Sequence, residues 1–171
     1  MVGNTHFINK FYCPREIFSI KVVLSHAFVL INSFLALIPL ILYFKGSLGW
    51  PILFLPVVIL VHILFTIGLI LMLSTLHVFY RDVTHLLEFA TVFWYFLTPV
   101  FYPLSMVPEK YHSWFNWNPM HIIIALYRDI LYQGVFPDWK HIGMATAIGL
   151  GTLIMGWKVF LHYEGVVVKE L

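Results

Sequence analysis

Charged residues stand far apart along this chain, and the gaps between them are the lengths that a bilayer demands. No Asp, Glu, Lys or Arg falls between Lys21 and Lys45, or between Lys45 and Arg81. Glu88 to Glu109 is equally clear, as is Lys140 to Lys158. A helix needs about 20 apolar residues to cross the hydrocarbon core. The pattern therefore predicts four spans, over 22–43, 52–75, 86–102 and 141–161, with the third and fourth short. Between the third and fourth the pattern changes. Residues 103–134 carry breaks at Pro103, Pro108 and Pro119, then an amphipathic run holding Met120, Ile122, Ile123, Ile124, Leu126, Tyr127, Ile130 and Leu131. That run is too short to cross twice and too apolar to lie in water. A re-entrant helical hairpin dipping from the outer face satisfies both limits, since irregular backbone survives at membrane depth only against protein or a water-filled cavity.

Composition agrees. The chain is 61% apolar and only 11% charged, where a soluble domain is near a quarter charged. The expected fold class is all-α and polytopic, with about four transmembrane helices plus the hairpin. Six Lys and Arg (Lys10, Arg15, Lys21, Arg81, Lys158, Lys169) fall on one side and four (Lys45, Lys110, Arg128, Lys140) on the other. This bias places both ends in the cytoplasm. Trp50, Trp114, Trp117 and Trp139 then sit at the outer interface, where amphipathic rings favour the headgroup level. Trp94 and Trp157 fall within spans.

Polar residues inside the spans are few. His26 and Asn32 in the first are expected to bond to neighbouring helices. Gly68 in the second is expected to allow close helix packing. Glu88, at the inner end of the third, needs a partner such as Arg81 or His85. Tyr80-Arg81-Asp82 reads as a cytoplasmic corner, either a simple charged anchor or an element that fixes an angle or meets a partner.

Candidate chemistry is sparse. The nine histidines include no pair three or four apart, so no helix turn offers two imidazoles to a metal. No nucleophile elbow GxSxG occurs, and no GxxxxGK[ST] phosphate loop. A net charge of +2 gives no reason to expect nucleic acid. Instead the third span concentrates rings: Phe89, Phe93, Trp94, Tyr95, Phe96, Phe101 and Tyr102. It breaks at Thr98-Pro99 and Tyr102-Pro103, close to the outer face. An aromatic stripe often serves packing or lipid contact, but rings also stack on sugar faces.

The order YRDV, FLTPVFYP, VP, WNPM, YRDIL resembles the second half of type-2 ABC transporter permeases, most closely the exporters of lipid-linked O-antigen (lipopolysaccharide), capsule or teichoic acid. The N-terminal FINKFYCPREIFSIKVVLSHAF and the C-terminal FLHYEGVVVKEL are similar to that family's cytoplasmic turn and tail. The resemblance implies a homodimeric permease in the cytoplasmic (inner) membrane. Its partners would be a separate ABC ATPase subunit that binds ATP and Mg, a second permease copy, lipid-linked polysaccharide and the lipid bilayer. No cofactor would bind to this chain, which would be a conduit and not a catalyst.

The resemblance also divides the chain. Residues 1–21 would be a cytoplasmic segment with a coupling helix, carried by Phe11, Tyr12, Pro14, Arg15 and Glu16. Residues 22–102 would be three transmembrane helices, with the corner Arg81 and Asp82 and a conduit of Phe93, Tyr95, Phe96, Pro99, Phe101 and Tyr102. Residues 103–140 would form the periplasmic gate hairpin, with Trp117, Asn118, Pro119 and Arg128. Residues 141–171 would be the last transmembrane helix and tail. The family usually has six spans after an interface helix, and this sequence begins at the loop between the second and third, as an N-terminally truncated member would. The competing class is a small membrane channel or scaffold subunit without an ATPase. The sequence names neither the glycan nor its lipid carrier.

Overall fold

The computed structural model describes residues 16–45, 49–80, 83–100, 102, 106–115 and 117–170. Among them every element is helical. Helix α1 is Glu16–Lys45, and a 3-10 turn Trp50–Phe54 leads into α2, Leu55–Phe79. Helix α3 is Val83–Leu97. A 3-10 turn Glu109–Tyr111 precedes the one-turn helix α4, His112–Phe115. Helix α5, Pro119–Arg128, continues as a π-turn, Asp129–Gln133, and α6 is Trp139–Glu170. Three of these helices are long and apolar enough to cross a membrane, over Ser19–Phe44, Trp50–Phe79 and Trp139–Tyr163. They contain the predicted first, second and fourth spans. The chain is an all-α polytopic membrane protein.

The third expected span differs. Helix α3 has 15 residues, which is about 22 Å at 1.5 Å per residue, short of the roughly 30 Å hydrocarbon core. Pro99 has no N–H to continue the ladder, and the helix stops before it. The break also lies deeper than the sequence suggests. Thr98 shares a cleft with His62, Phe65, Thr66 and Leu69, from the middle third of α2.

The scaffold that holds this break is the α2–α6 pair. The two helices run parallel. Phe54 at the start of α2 meets Trp139 at the start of α6, ring centroids 5.9 Å apart. At the other end Phe79 meets Tyr163 at 5.4 Å. Between them, α2 buries Leu55, Val58, Val61, Phe65, Gly68, Leu71 and Thr75, a repeat of threes and fours that keeps one face toward one partner. Helix α6 answers with buried Ala145, Gly149, Gly156 and Phe160. The glycines set the distance. A Cβ at Gly68 would overlap the backbone of Thr152 and Leu153, and a Cβ at Gly156 would overlap the carbonyl of Gly68. Without a hydrophobic drive between helices in lipid, such small-residue contacts are how backbones gain close van der Waals packing. The role expected for Gly68 is thus the one observed.

Helix α1 packs on α2 through Val23 and Ala27. Its polar groups do not reach other helices as expected. The His26 ring donates to the Val22 carbonyl at 2.9 Å, and the Asn32 amide to the Phe28 carbonyl at 2.7 Å. A short side chain reaches the carbonyl four residues back more readily than a neighbouring helix. Glu88 has the partner anticipated for it, His85 at 3.7 Å, on an exposed surface.

Two substitutions test the α2–α6 contact. Gly156→Val should force the helices apart and cost roughly 1–3 kcal/mol, read as a lower midpoint of unfolding in detergent. Gly151→Val should leave the midpoint nearly unchanged, because nothing lies within 4 Å of a Cβ there. Equal losses at both positions would remove the close-packing account.

Candidate functional site

A helix that ends inside a membrane leaves carbonyls that need partners. At the end of α3 the Trp94, Tyr95 and Phe96 carbonyls have them. The Thr98 hydroxyl donates to the Trp94 carbonyl at 2.8 Å, and the Thr98 N–H to the Tyr95 carbonyl at 3.2 Å. The Tyr102 hydroxyl donates to the Phe96 carbonyl at 3.2 Å. The Val100 N–H closes on the Thr98 carbonyl at 2.7 Å. The Pro99 carbonyl accepts from the Arg128 guanidinium at 2.9 Å. Arg128 therefore holds the broken backbone.

Asn118 is the second fastener. Its side-chain oxygen accepts from the Met120 N–H at 3.1 Å, which caps α5. The same oxygen accepts from the Trp94 indole N–H at 2.9 Å, and the amide nitrogen donates to the Thr98 hydroxyl at 3.0 Å. One residue thus starts α5 and ties it to the end of α3. Pro119 occupies the first turn of α5, where a missing N–H costs nothing. This explains the spacing of WNPM locally: a cap, then a proline at the helix start.

From this anchor α5 climbs beside α2. Met120 and Ile124 line the cleft with Phe65, Thr66 and Leu69. Further on, the Tyr127 hydroxyl lies 3.3 Å from His62 Nδ1, and its ring stacks near Phe34 at 4.9 Å. Ile122, Ile123, Leu126 and Ile130 are buried in one core with Leu55, Val58, Val61 and Phe65. The π-turn ends at Gly134, whose φ of 69° permits its N–H and that of Val135 to reach the Asp129 carbonyl. Gly134 lies against Gly49 at the outer start of α2. The segment 119–134 thus begins beside the middle of α2 and ends beside its start, next to Gly49.

A cluster of ionisable groups sits where α5 meets α6. Burial raises the Asp129 carboxyl above its usual range, opposed by His141 and Arg128. Burial lowers His121, and the charges of Arg128 and His141 add to that. The Nδ1 of His141 is buried without a hydrogen-bond partner among the described residues.

The other predicted residues fall as follows. Phe93 and Phe96 are on the open face of α3, 69% and 67% exposed, and Tyr95 borders the cleft. Pro99 is fully buried, behind that face and not on it. Tyr102 is half-buried beside the α3 end, and Trp117 is exposed. Phe11, Tyr12, Pro14, Arg15, Arg81, Asp82 and Phe101 lie outside the described residues, and Glu16 opens α1. Two participants were not singled out as site residues by sequence: Trp94, whose indole N–H fixes Asn118, and Thr98, which serves four bonds. A Trp four residues before a Thr-Pro break was the available signal.

The sequence matches the ABC-2 type transporter family over residues 2–132. Among curated proteins it is similar to the O-antigen export system permease protein RfbA of Klebsiella pneumoniae, 26% identical over 165 residues, 93% of this chain and 61% of that protein. It is also similar to RfbA of Myxococcus xanthus, 26% identical over 159 residues, 90% and 60% respectively. The polysialic acid transport protein KpsM of Escherichia coli matches at 26% over 70 residues, 41% and 27%. The chain spans about three-fifths of the length of the RfbA relatives. No solved structure matches it.

Asn118→Leu keeps the volume but removes the cap and leaves the Trp94 indole N–H unpaired. It should cost roughly 2–4 kcal/mol and alter Trp94 emission, measured as a difference against Trp94→Phe. An unchanged spectrum and stability would dissolve the fastener.

Proposed function

Because the chain belongs to the ABC-2 type transporter family, we propose that it is a membrane-spanning permease subunit of an ATP-driven exporter of lipid-linked polysaccharide. The observation that carries this reading is the broken helix α3 fastened to a re-entrant α5 by Asn118 and Arg128. A permanent anchor has no use for such a break. A conduit needs non-helical backbone where it borders a cavity. The relatives that cover most of the chain carry names of O-antigen export permeases, which supports a glycan as cargo.

On this reading the chain works in the cytoplasmic (inner) membrane with a second permease copy and two ATPase subunits, which handle ATP and Mg. Phe11, Tyr12, Pro14, Arg15 and Glu16 form the coupling element, and Arg81 and Asp82 the inner corner. Phe93, Tyr95, Phe96, Phe101 and Tyr102 offer rings along the path, with Pro99 setting the break behind them. Trp117, Asn118, Pro119 and Arg128 form the outer gate. ATP-driven closure of the partner moves the coupling element, and the displacement reaches α3 by rigid-body motion of helices. The α5 fasteners then decide whether the outer end opens.

Two measurements test this reading in the assembled transporter. Arg128→Ala should lower export at least tenfold while protein in the membrane falls by less than half, since it releases the Pro99 carbonyl. Parallel losses of export and protein would reduce Arg128 to a stabilising contact. Reversing both charges at Arg15 and Glu16 should leave the protein inserted and uncouple ATP hydrolysis from export. Normal export with normal ATPase stimulation would make the segment a simple anchor.

A further inference from the structure

Arg128 does not stand alone where α5 meets α6. His121 lies two helical turns before it on the same face, Asp129 follows it, and Asp138 and His141 lie at the start of α6. Asp138 caps that helix: its Oδ1 accepts from the Lys140 N–H at 3.1 Å, and its carbonyl from the Ile142 N–H at 3.0 Å. The His121 ring is packed edge-on against Phe115, centroids 5.9 Å apart. His121, Arg128, Asp129 and His141 are all half-buried. Arg128 and His141 both act on His121 and on Asp129, and Asp138 acts on Asp129 as well. From α2 this part of α5 meets Leu55, Val58 and Val61. The titratable neighbours beyond have their own partners, His62 at the Tyr127 hydroxyl and His112 at the Val107 carbonyl. Lys140 is exposed.

One atom in this group is incomplete. His141 Nδ1 is buried and has no hydrogen-bond partner among the described residues. An unpaired buried nitrogen is costly. A proton there makes it a donor, and Asp129 is a carboxylate within the reach of its charge. Proton uptake then changes what surrounds Arg128. While both imidazoles are neutral, Asp129 offsets the guanidinium. A charged His141 claims Asp129, and a charged His121 adds a like charge beside Arg128. The two rings are held, by Phe115 and by the body of α6. A guanidinium cannot shed its proton, but its long side chain can move. Repulsion in a half-buried space is therefore relieved when Arg128 leaves the Pro99 carbonyl.

We propose that His121, Asp129 and His141 form a proton-operated release for the α3 break, in which proton uptake by the two imidazoles frees the Pro99 carbonyl from Arg128. Any use of this release in transport rests on the export reading above. The release itself does not. Its direction with pH follows from the group. Burial lowers His121, with the charges of Arg128 and His141 adding to that. Its neutral form favours the fold, so that contribution is complete above about pH 6.5 and is lost as pH falls below it. Burial raises Asp129, so acid returns stability there only as pH falls through that raised value. Loosening thus begins on the imidazole side, below about pH 6.5.

A nitroxide on Val100→Cys, in a chain whose one native cysteine is replaced by Cys13→Ser, reports on the backbone beside Pro99. The full chain is placed in phosphatidylcholine vesicles without ATP or partner subunits. Between pH 7.5 and pH 5.0 the mobile fraction of the electron paramagnetic resonance spectrum should rise at least about threefold. His121→Gln and His141→Gln should each shrink the rise, and together they should abolish it. Arg128→Ala should give the mobile spectrum at both pH values. Circular dichroism at pH 7.5 separates release from unfolding. Where the paired variant does not fold, the two single variants decide. A flat response in the parent chain, a full rise in both single variants or in the folded pair, or an immobile label in Arg128→Ala would overturn the proposal. The assay needs no ATPase, so failure of export would leave this result standing, and a flat response here would leave export standing.

Discussion

A backbone carbonyl in hydrocarbon has no water to turn to, and that constraint organises the outer half of this protein. Helix α3 ends at Leu97 within the membrane, and each freed carbonyl then needs a donor from the protein. The donors found are a threonine hydroxyl, a tyrosine hydroxyl, two backbone N–H groups and one guanidinium. Four of them lie within five residues of the break, but the guanidinium comes from 29 residues away. The Pro99 carbonyl therefore depends on α5 for its partner. Nor can α5 start where it does without Asn118, whose other bonds go back to α3. The two elements specify each other.

This mutual dependence needs a fixed wall, and the parallel α2–α6 pair supplies it. Glycines at 68, 149 and 156 bring the two backbones close, and aromatic pairs close both ends. A tightly packed pair of this kind has little room to repack. By contrast, α3 buries none of its residues fully, and its fastening to the bundle is mostly polar. A helix held by a few directional bonds can exchange partners in a way that a helix held by interlocked backbones cannot. The architecture thus places a rigid pair behind a rim with discrete attachment points.

The polar residues of α1 illustrate the same economy of partners. Ser25, His26, Asn32 and Ser33 each turn back to the carbonyl four residues earlier. A polar group within its own helix can be satisfied locally, so its presence does not by itself identify a helix–helix contact. His62 is the counterexample, since it reaches Tyr127 across 65 residues. Sequence offers no means of telling the two apart, because both are single histidines in apolar runs.

What the sequence determined by itself was the class, the long helices and the segment that departs from them. Charge-free intervals of sufficient length have one stable outcome in lipid, so the apolar stretches inside α1, α2 and α6 were legible, though not the ends of α1 and α6. Pro99 and Pro119 announced a stop and a start, because a missing N–H acts locally. The packing role of Gly68 could be anticipated for the same reason. Tertiary structure alone decided how deep the break lies and what repairs it. Sequence put Thr98-Pro99 near the outer face by counting residues along an assumed crossing, whereas the packing sets Trp94 against Phe65 and Thr98 one turn further on, in a cleft shared with His62. Nor could sequence show the partner of Arg128, 29 residues away, since neighbours in sequence are the only partners a sequence displays. The buried Pro99 carbonyl, brought within 2.9 Å by the climb of α5, is a stronger claim on a guanidinium: left unpaired at that depth it would cost more than an exposed ion pair returns.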